Sequence, residues 1–178
     1  MKFGLGTVTR GIFTNRETYM TVARAADRAG FDFLAVTDHL LKPMVQVSKY
    51  PYTVGGAMVG MDEGHCFDQL TTIAFLAACT ENIRLLTSVM VIPHRPAVLT
   101  AKMLATIDVL SNGRLILGVG SGWMKEEIEA LAGPGGVPFE ARGKLTDETL
   151  AAFKELWTKD APSFDGAHVK FKDVVFEP

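Results

Sequence analysis

Cysteine is scarce in this sequence, basic charge is not in excess, and no apolar run is long; each shortage removes a class of protein. Two cysteines, Cys66 and Cys79, cannot build a disulfide framework, and their scarcity fits a reducing compartment. Eighteen Lys and Arg against twenty Asp and Glu leave a formal net charge of -2, so no nucleic-acid partner is expected. No stretch approaches the roughly 18 apolar residues of a membrane span, and the opening MKFGLGTV lacks the apolar centre of a signal peptide. A cytoplasmic protein without a membrane partner is the expectation. Low-complexity tracts and short-period repeats are missing as well.

What remains is 178 residues, 48% of them hydrophobic, enough for one domain with a sizeable core. Residues 2–8 read as a short buried strand. Thr14-Asn15-Arg16-Glu17 has the composition of a capping box, with the Thr14 hydroxyl on an orphan helix N–H and Glu17 reaching back. Tyr19, Val22, Ala23 and Ala26 then recur at helical spacing, and Gly30 stops the helix. Residues 33–36 form a second strand that runs into Thr37-Asp38-His39. Asp68 caps a helix carrying Leu70, Ile73, Ala74 and Ala77, and 83–92 is a β-branched-rich strand ended by Pro93. Pro96 opens a helix carrying Val98, Ala101, Leu104, Ala105 and Val109, closed by Asn112-Gly113. The fourth strand, 115–119, enters Gly120-Ser121-Gly122-Trp123. A short helix near 125–131, a Gly/Pro loop, a helix around 145–157 and a hairpin turned at Asp165-Gly166 complete the chain.

Strands separated by helices give a parallel sheet, and their apolar runs fit strands covered on both faces. Two architectures satisfy this: an open doubly wound sheet, or part of a (β/α)8 barrel. A complete barrel takes about 250 residues, and four βα units are visible. In either case polar chemistry collects at the C-terminal strand ends. There Asp38-His39 pairs a hydrogen-bond acceptor with a group that titrates near neutral pH. Gly118-Val119-Gly120-Ser121-Gly122 lets backbone approach a flat ligand but lacks the dinucleotide-loop spacing. His65-Cys66, with Asp62 and Glu63, has no second ligand pair, so no metal is expected. Ser121 is not in a nucleophile elbow. Arg95, Arg142 and Lys144 read as solvated surface residues, and the long segment 40–67 as a lid.

Three segments, GFDFLAVTDHL (30–40), IRLLTSVMVIPHRPAVLTAKMLATIDVLSNGRLILGVGSGW (83–123) and FDGAHVKFKDVVFEP (164–178), resemble the luciferase-like monooxygenase superfamily, in particular its deazaflavin (coenzyme F-420)-dependent oxidoreductase branch. Their order and spacing match over nearly the whole chain. The resemblance implies a (β/α)8 barrel holding a flavin or deazaflavin at its C-terminal mouth. It implies that Asp38 and His39 face the ring, His39 as the catalytic proton carrier and Asp38 through a hydrogen bond. It places the ring against Thr87, Ser88 and Val89, with a non-prolyl cis peptide between Ser88 and Val89, and against Gly120, Ser121 and Gly122, with Trp123 walling the substrate pocket. Relatives acting on a sugar phosphate carry Glu where this chain has Trp123, which argues against that substrate. The family continues into four further strands whose loops hold the cofactor phosphate. The chain therefore reads as a single partial domain, the first half of a member.

The function expected is hydride transfer between reduced F-420 and a small organic substrate. The alternatives are an FMN-dependent monooxygenase on the same fold, and a non-catalytic flavin-binding or assembly protein. A homodimer is expected, because a half barrel has open strand edges and leaves apolar faces at Val36, Val89 and Leu117 bare.

Overall fold

Four parallel strands, β1 (Gly4–Thr7), β2 (Phe33–Val36), β3 (Arg84–Val91) and β4 (Leu115–Gly120), lie side by side in chain order in the computed structural model. The structure describes residues 1–56, 58 and 65–178. Helices α1 (Arg16–Arg28), α2 (Gln69–Cys79) and α3 (Ala97–Leu110) make the crossovers; α4 (Lys125–Ala132) and α5 (Arg142–Thr158) follow β4. Strand order that advances without reversing is the winding of a barrel, since a doubly wound sheet turns back at its switch point. The fold is four βα units of a (β/α)8 barrel. The short antiparallel hairpin β5 (Phe164–Asp165) and β6 (Lys170–Phe171) follows, and Gly166 N–H donates to the Val169 carbonyl, so its turn occupies 166–169.

Local chemistry explains most element ends. Asp68 accepts from Thr71 N–H and starts α2 as read, whereas α1 is capped by Asn15, whose side chain accepts from Thr18 N–H. Thr14 instead donates its hydroxyl to the Gly11 carbonyl, and Glu17 pairs with Arg16, so the capping box does not form. The Asn amide is the stronger cap and takes the position. In α3 the buried row is Thr100, Ala101, Leu104 and Ile107, while Val98 and Val109 face outward. The helix is apolar almost all round, which blurs the face that the sequence pattern selects.

Register decides which face of the sheet is covered. Leu5, Leu34, Leu85 and Leu115 form one row, and Val36, Thr87 and Leu117 another, both toward the helices. Val36 is fully buried there and Leu117 packs on the same core, which corrects the expectation that they lie bare. The uncovered face carries Gly6, Ala35, Leu86 and Ile116 in the alternate row, as the strand period of two requires. β1 and β4 each have a neighbour on one side only. These 178 residues made alone are expected to self-associate through those edges and that face. Light scattering checks this, and a stable monomer at all concentrations would contradict it. None of the described helices is long and apolar enough to cross a membrane.

β3 and β4 are also joined by a side chain. The Thr87 hydroxyl donates to the Gly118 carbonyl at 2.7 Å and accepts from Gly118 N–H at 2.9 Å. A Cβ on Gly118 would stand 2.4 Å from the Thr87 carbonyl oxygen, a backbone atom that cannot yield. Gly118→Ala should therefore lower stability by about 1–3 kcal/mol in urea unfolding. Beyond residue 87 the β3–β4 register shifts, and the Ser88–Val89 peptide is cis.

Candidate active site

The strand ends converge on a cleft of about 340 Å³ whose lining includes His39, Ser88, Val89, Gly120, Ser121, Gly122 and Trp123. A larger groove of about 590 Å³ runs beside β4 along Leu117, Trp157 and Phe176, away from the strand ends and their polar groups. The smaller cleft holds the chemistry. Val89 is 45% exposed between the fully buried Thr87 and the buried Met90, so the register shift turns an apolar side chain out into the mouth. Tyr50 and Tyr52 come from the long segment after β2; Tyr50 packs on Trp123 with centroids 5.2 Å apart, and Trp123 lies 6.1 Å from the His39 ring.

Behind His39 lies a buried ionic network. His39 Nδ1 is 2.7 Å from Glu127 Oε2, and the other Glu127 oxygen accepts from Leu40 N–H at 2.7 Å and Leu41 N–H at 3.2 Å. Glu127 sits in the first turn of α4 with no solvent exposure. Burial pushes its carboxyl up, but the His39 and His94 imidazoles and the Leu40 N–H more than offset this and hold it below the usual range. His94 stands between two acids, Nδ1 3.7 Å from Asp38 Oδ2 and Nε2 3.7 Å from Glu127 Oε2.

Asp38 has both carboxylate oxygens occupied. Arg95 binds them bidentately at 2.8 and 2.9 Å, and Val91 N–H donates to Oδ2 at 2.9 Å. The same guanidinium reaches Asp68 Oδ2 at 2.5 Å. The Asp38 side chain has no exposure and its carboxylate is held by Arg95 and Val91, while the residue itself contributes to the cleft lining beside His39. The Thr87 hydroxyl is bonded to Gly118, and the residue stands behind the residues that line the cleft. Arg95 is no solvated surface residue. Arg142 is not one either: its Nε donates to the Gly122 carbonyl at 3.1 Å and its guanidinium lies 3.8 Å over the Phe139 ring. Lys144 is exposed as read.

Burial raises the Asp38 pKa, but contacts with His94 and Arg95 overcome this and bring it down to about 2. A depressed carboxyl stabilises the fold above its unfolded pKa, and that stability is lost as pH falls through the folded one. Urea unfolding should therefore show a loss of about 2 kcal/mol between roughly pH 4 and pH 2. Asp38→Asn should reduce that slope by the Asp38 share, leaving the part contributed by other depressed carboxyls such as Glu126 and Asp68; an unchanged slope would assign all of it to those groups.

Glu127, His94 and Tyr50 did not stand out in the sequence. Glu127 is one of three acids in KEEIEA, and nothing local separates it from Glu126 or Glu129. Residues 57 and 59–64 of the segment 40–67 lie outside the described residues. The early residues of the segment are tied to α4, with Val47 and Ser48 N–H donating to Glu126 Oε1 at 2.6 and 2.8 Å, and Tyr50 beyond them lines the cleft. Asp62 and Glu63 lie outside the described residues. Among the described residues no group of three or more His, Cys, Asp and Glu is placed to hold a metal ion.

The cleft therefore combines an apolar plate at Val89, a strip of close-approaching glycine backbone, a carboxylate-held imidazole and an aromatic wall. That donor set fits a flat heteroaromatic ring with polar edges. The sequence profile of the luciferase-like monooxygenase family matches residues 3–178, and the chain belongs to that family. It is 34% identical over 174 residues to an uncharacterized protein of Mycobacterium tuberculosis, covering 96% of this chain and 58% of that one. An FMNH(2)-dependent dimethylsulfone monooxygenase of Pseudomonas putida is 32% identical over 157 residues, 88% of this chain and 38% of that protein. In structure it is similar to monooxygenase RslO1 from Streptomyces bottropensis, with TM-score 0.77, 24% identity, and 100% of this chain on 49% of the other. An F420-dependent secondary alcohol dehydrogenase in complex with an F420-acetone adduct gives TM-score 0.70, 20% identity, and 98% against 48%. The chain spans about half the length of most of these relatives.

Proposed function

We propose that the protein is an oxidoreductase that holds reduced coenzyme F-420 against Val89 and serves hydride transfer to a small organic carbonyl substrate. The observation that carries this reading is the placement of His39, its Nδ1 bonded to buried Glu127, beside the half-exposed Val89 at the barrel mouth. Ser88, Gly120, Ser121 and Gly122 offer the backbone and hydroxyl groups that would hold the ring edges. When bound, the reduced cofactor supplies the hydride. His39 would give the proton on its Nε2 to the substrate oxygen as the carbonyl carbon takes up the hydride that the cofactor would supply, leaving the imidazole with its hydrogen on Nδ1. Trp123 and Tyr50 wall the substrate side and exclude water.

A second reading, FMN-dependent oxygenation, is favoured by the dimethylsulfone monooxygenase, whose identity to this chain is higher than that of the F420-dependent dehydrogenase. Separate titrations of F-420 and FMN into the intact protein, followed by turnover with and without oxygen, discriminate between them. Anaerobic oxidation of reduced F-420 by a ketone supports the first reading. Turnover with reduced FMN that requires oxygen replaces it with the second, and binding of neither cofactor overturns both.

A further inference from the structure

We propose that Glu127 is the positioning residue of the site: it fixes His39 with the hydrogen on Nδ1 and the Nε2 lone pair toward the cleft. This deepens the reading of His39 as proton carrier and rests on it. An ionised carboxylate offers acceptors only. Glu127 Oε1 is already taken by the Leu40 and Leu41 amides, and Oε2 stands 2.7 Å from His39 Nδ1. A neutral His39 completes that contact only as the Nδ1–H tautomer. Because Glu127 has no exposure, its charge acts on the imidazole with little solvent screening.

The other groups around the pair do not substitute for it. His94, from the turn after β3, faces the same Glu127 oxygen at 3.7 Å and Asp38 at 3.7 Å, and its Nδ1 has no hydrogen-bond partner. The Asp38 charge is committed to Arg95. Cys66, from the segment before α2, has its thiol raised by burial first and then by the Glu127 and Asp38 charges, with Arg10 opposing. Trp123 offers a ring edge and no charge. Glu127 alone among these is hydrogen-bonded to His39.

Glu127→Gln tests the assignment. The amide oxygen keeps the Leu40 and Leu41 bonds, but its NH₂ now donates to Nδ1, so the neutral ring must carry its hydrogen on Nε2. Nitrogen-15 NMR of the His39 ring, assigned by its loss in His39→Ala, should show the Nδ1–H form in the wild type and the Nε2–H form in Glu127→Gln. In turnover, kcat should fall roughly 10²–10⁴-fold with KM little changed, the span seen when an imidazole loses its orienting acid or a proton transfer is removed. Glu127→Asp, which keeps the charge, should recover part of both effects. An Nε2–H tautomer in the wild type overturns the proposal and needs no variant to fold. So does an identical tautomer in Glu127→Gln. The NMR readouts require neither cofactor nor substrate, so a tautomer switch in a protein that turns over nothing overturns the oxidoreductase reading and upholds the hold on His39.

Discussion

In the intact protein, His39→Ala lowers turnover by roughly 10²–10⁴-fold, the contribution of a positioned acid–base group, while cofactor affinity changes much less. The asymmetry follows from the geometry. His39 is the titratable side chain at the cleft that is locked to a buried acid, so its loss removes a proton carrier that water in a narrow aromatic-walled mouth replaces poorly. The surfaces offered to a ring, Val89 and the glycine strip, belong to β3 and the β4 end and do not depend on His39 for their shape. Steady-state kinetics and a fluorescence titration on the same preparation check both halves of the expectation. Unchanged turnover would remove His39 from the mechanism.

The largest stability effect is expected at Arg95. Its guanidinium neutralises Asp38 and Asp68 together, and the Asp38 side chain has no water to turn to. Arg95→Ala would leave one carboxylate buried without its cation, a change that costs about 3–5 kcal/mol. For a domain of this size that lowers Tm by roughly 10 °C or more. Arg95→Lys should recover only part of it, because a point charge cannot reproduce the two-pronged contact. Thermal and urea unfolding of the three proteins measure the difference. A loss below about 1 kcal/mol in Arg95→Ala would show that Asp38 is stabilised mainly by the Val91 amide and His94.

Local chemistry made much of the fold legible. The four apolar runs became the four strands, with 33–36 read to the residue, and Asp68 and Gly30 punctuated their helices as such residues do. The mouth residues were readable because strand ends are where a barrel places its ligands. What stayed hidden depends on distance along the chain. His39 and Glu127 are 88 residues apart, and Asp38 and Arg95 are 57 apart; no periodicity links such pairs. Arg95 read as surface because Arg usually is, and only the fold brings two acids to it. The Asp38–Arg95 contact was hidden for the same reason, although Asp38 and His39 both belong to the cleft lining.

The segment after β2 is pinned to α4 at two successive places, Leu40–Leu41 by Glu127 and Val47–Ser48 by Glu126. The first pin is made by the carboxylate that is bonded to His39, and the second stands between it and the stretch that brings Tyr50 to the cleft. The stretch leading to Tyr50 is thus anchored on Glu126, a different carboxylate from the one that holds His39. In the proposed enzyme, substitutions at Tyr50 and Tyr52 are therefore expected to reshape the aromatic wall of the cleft while the Glu127–His39 contact is kept.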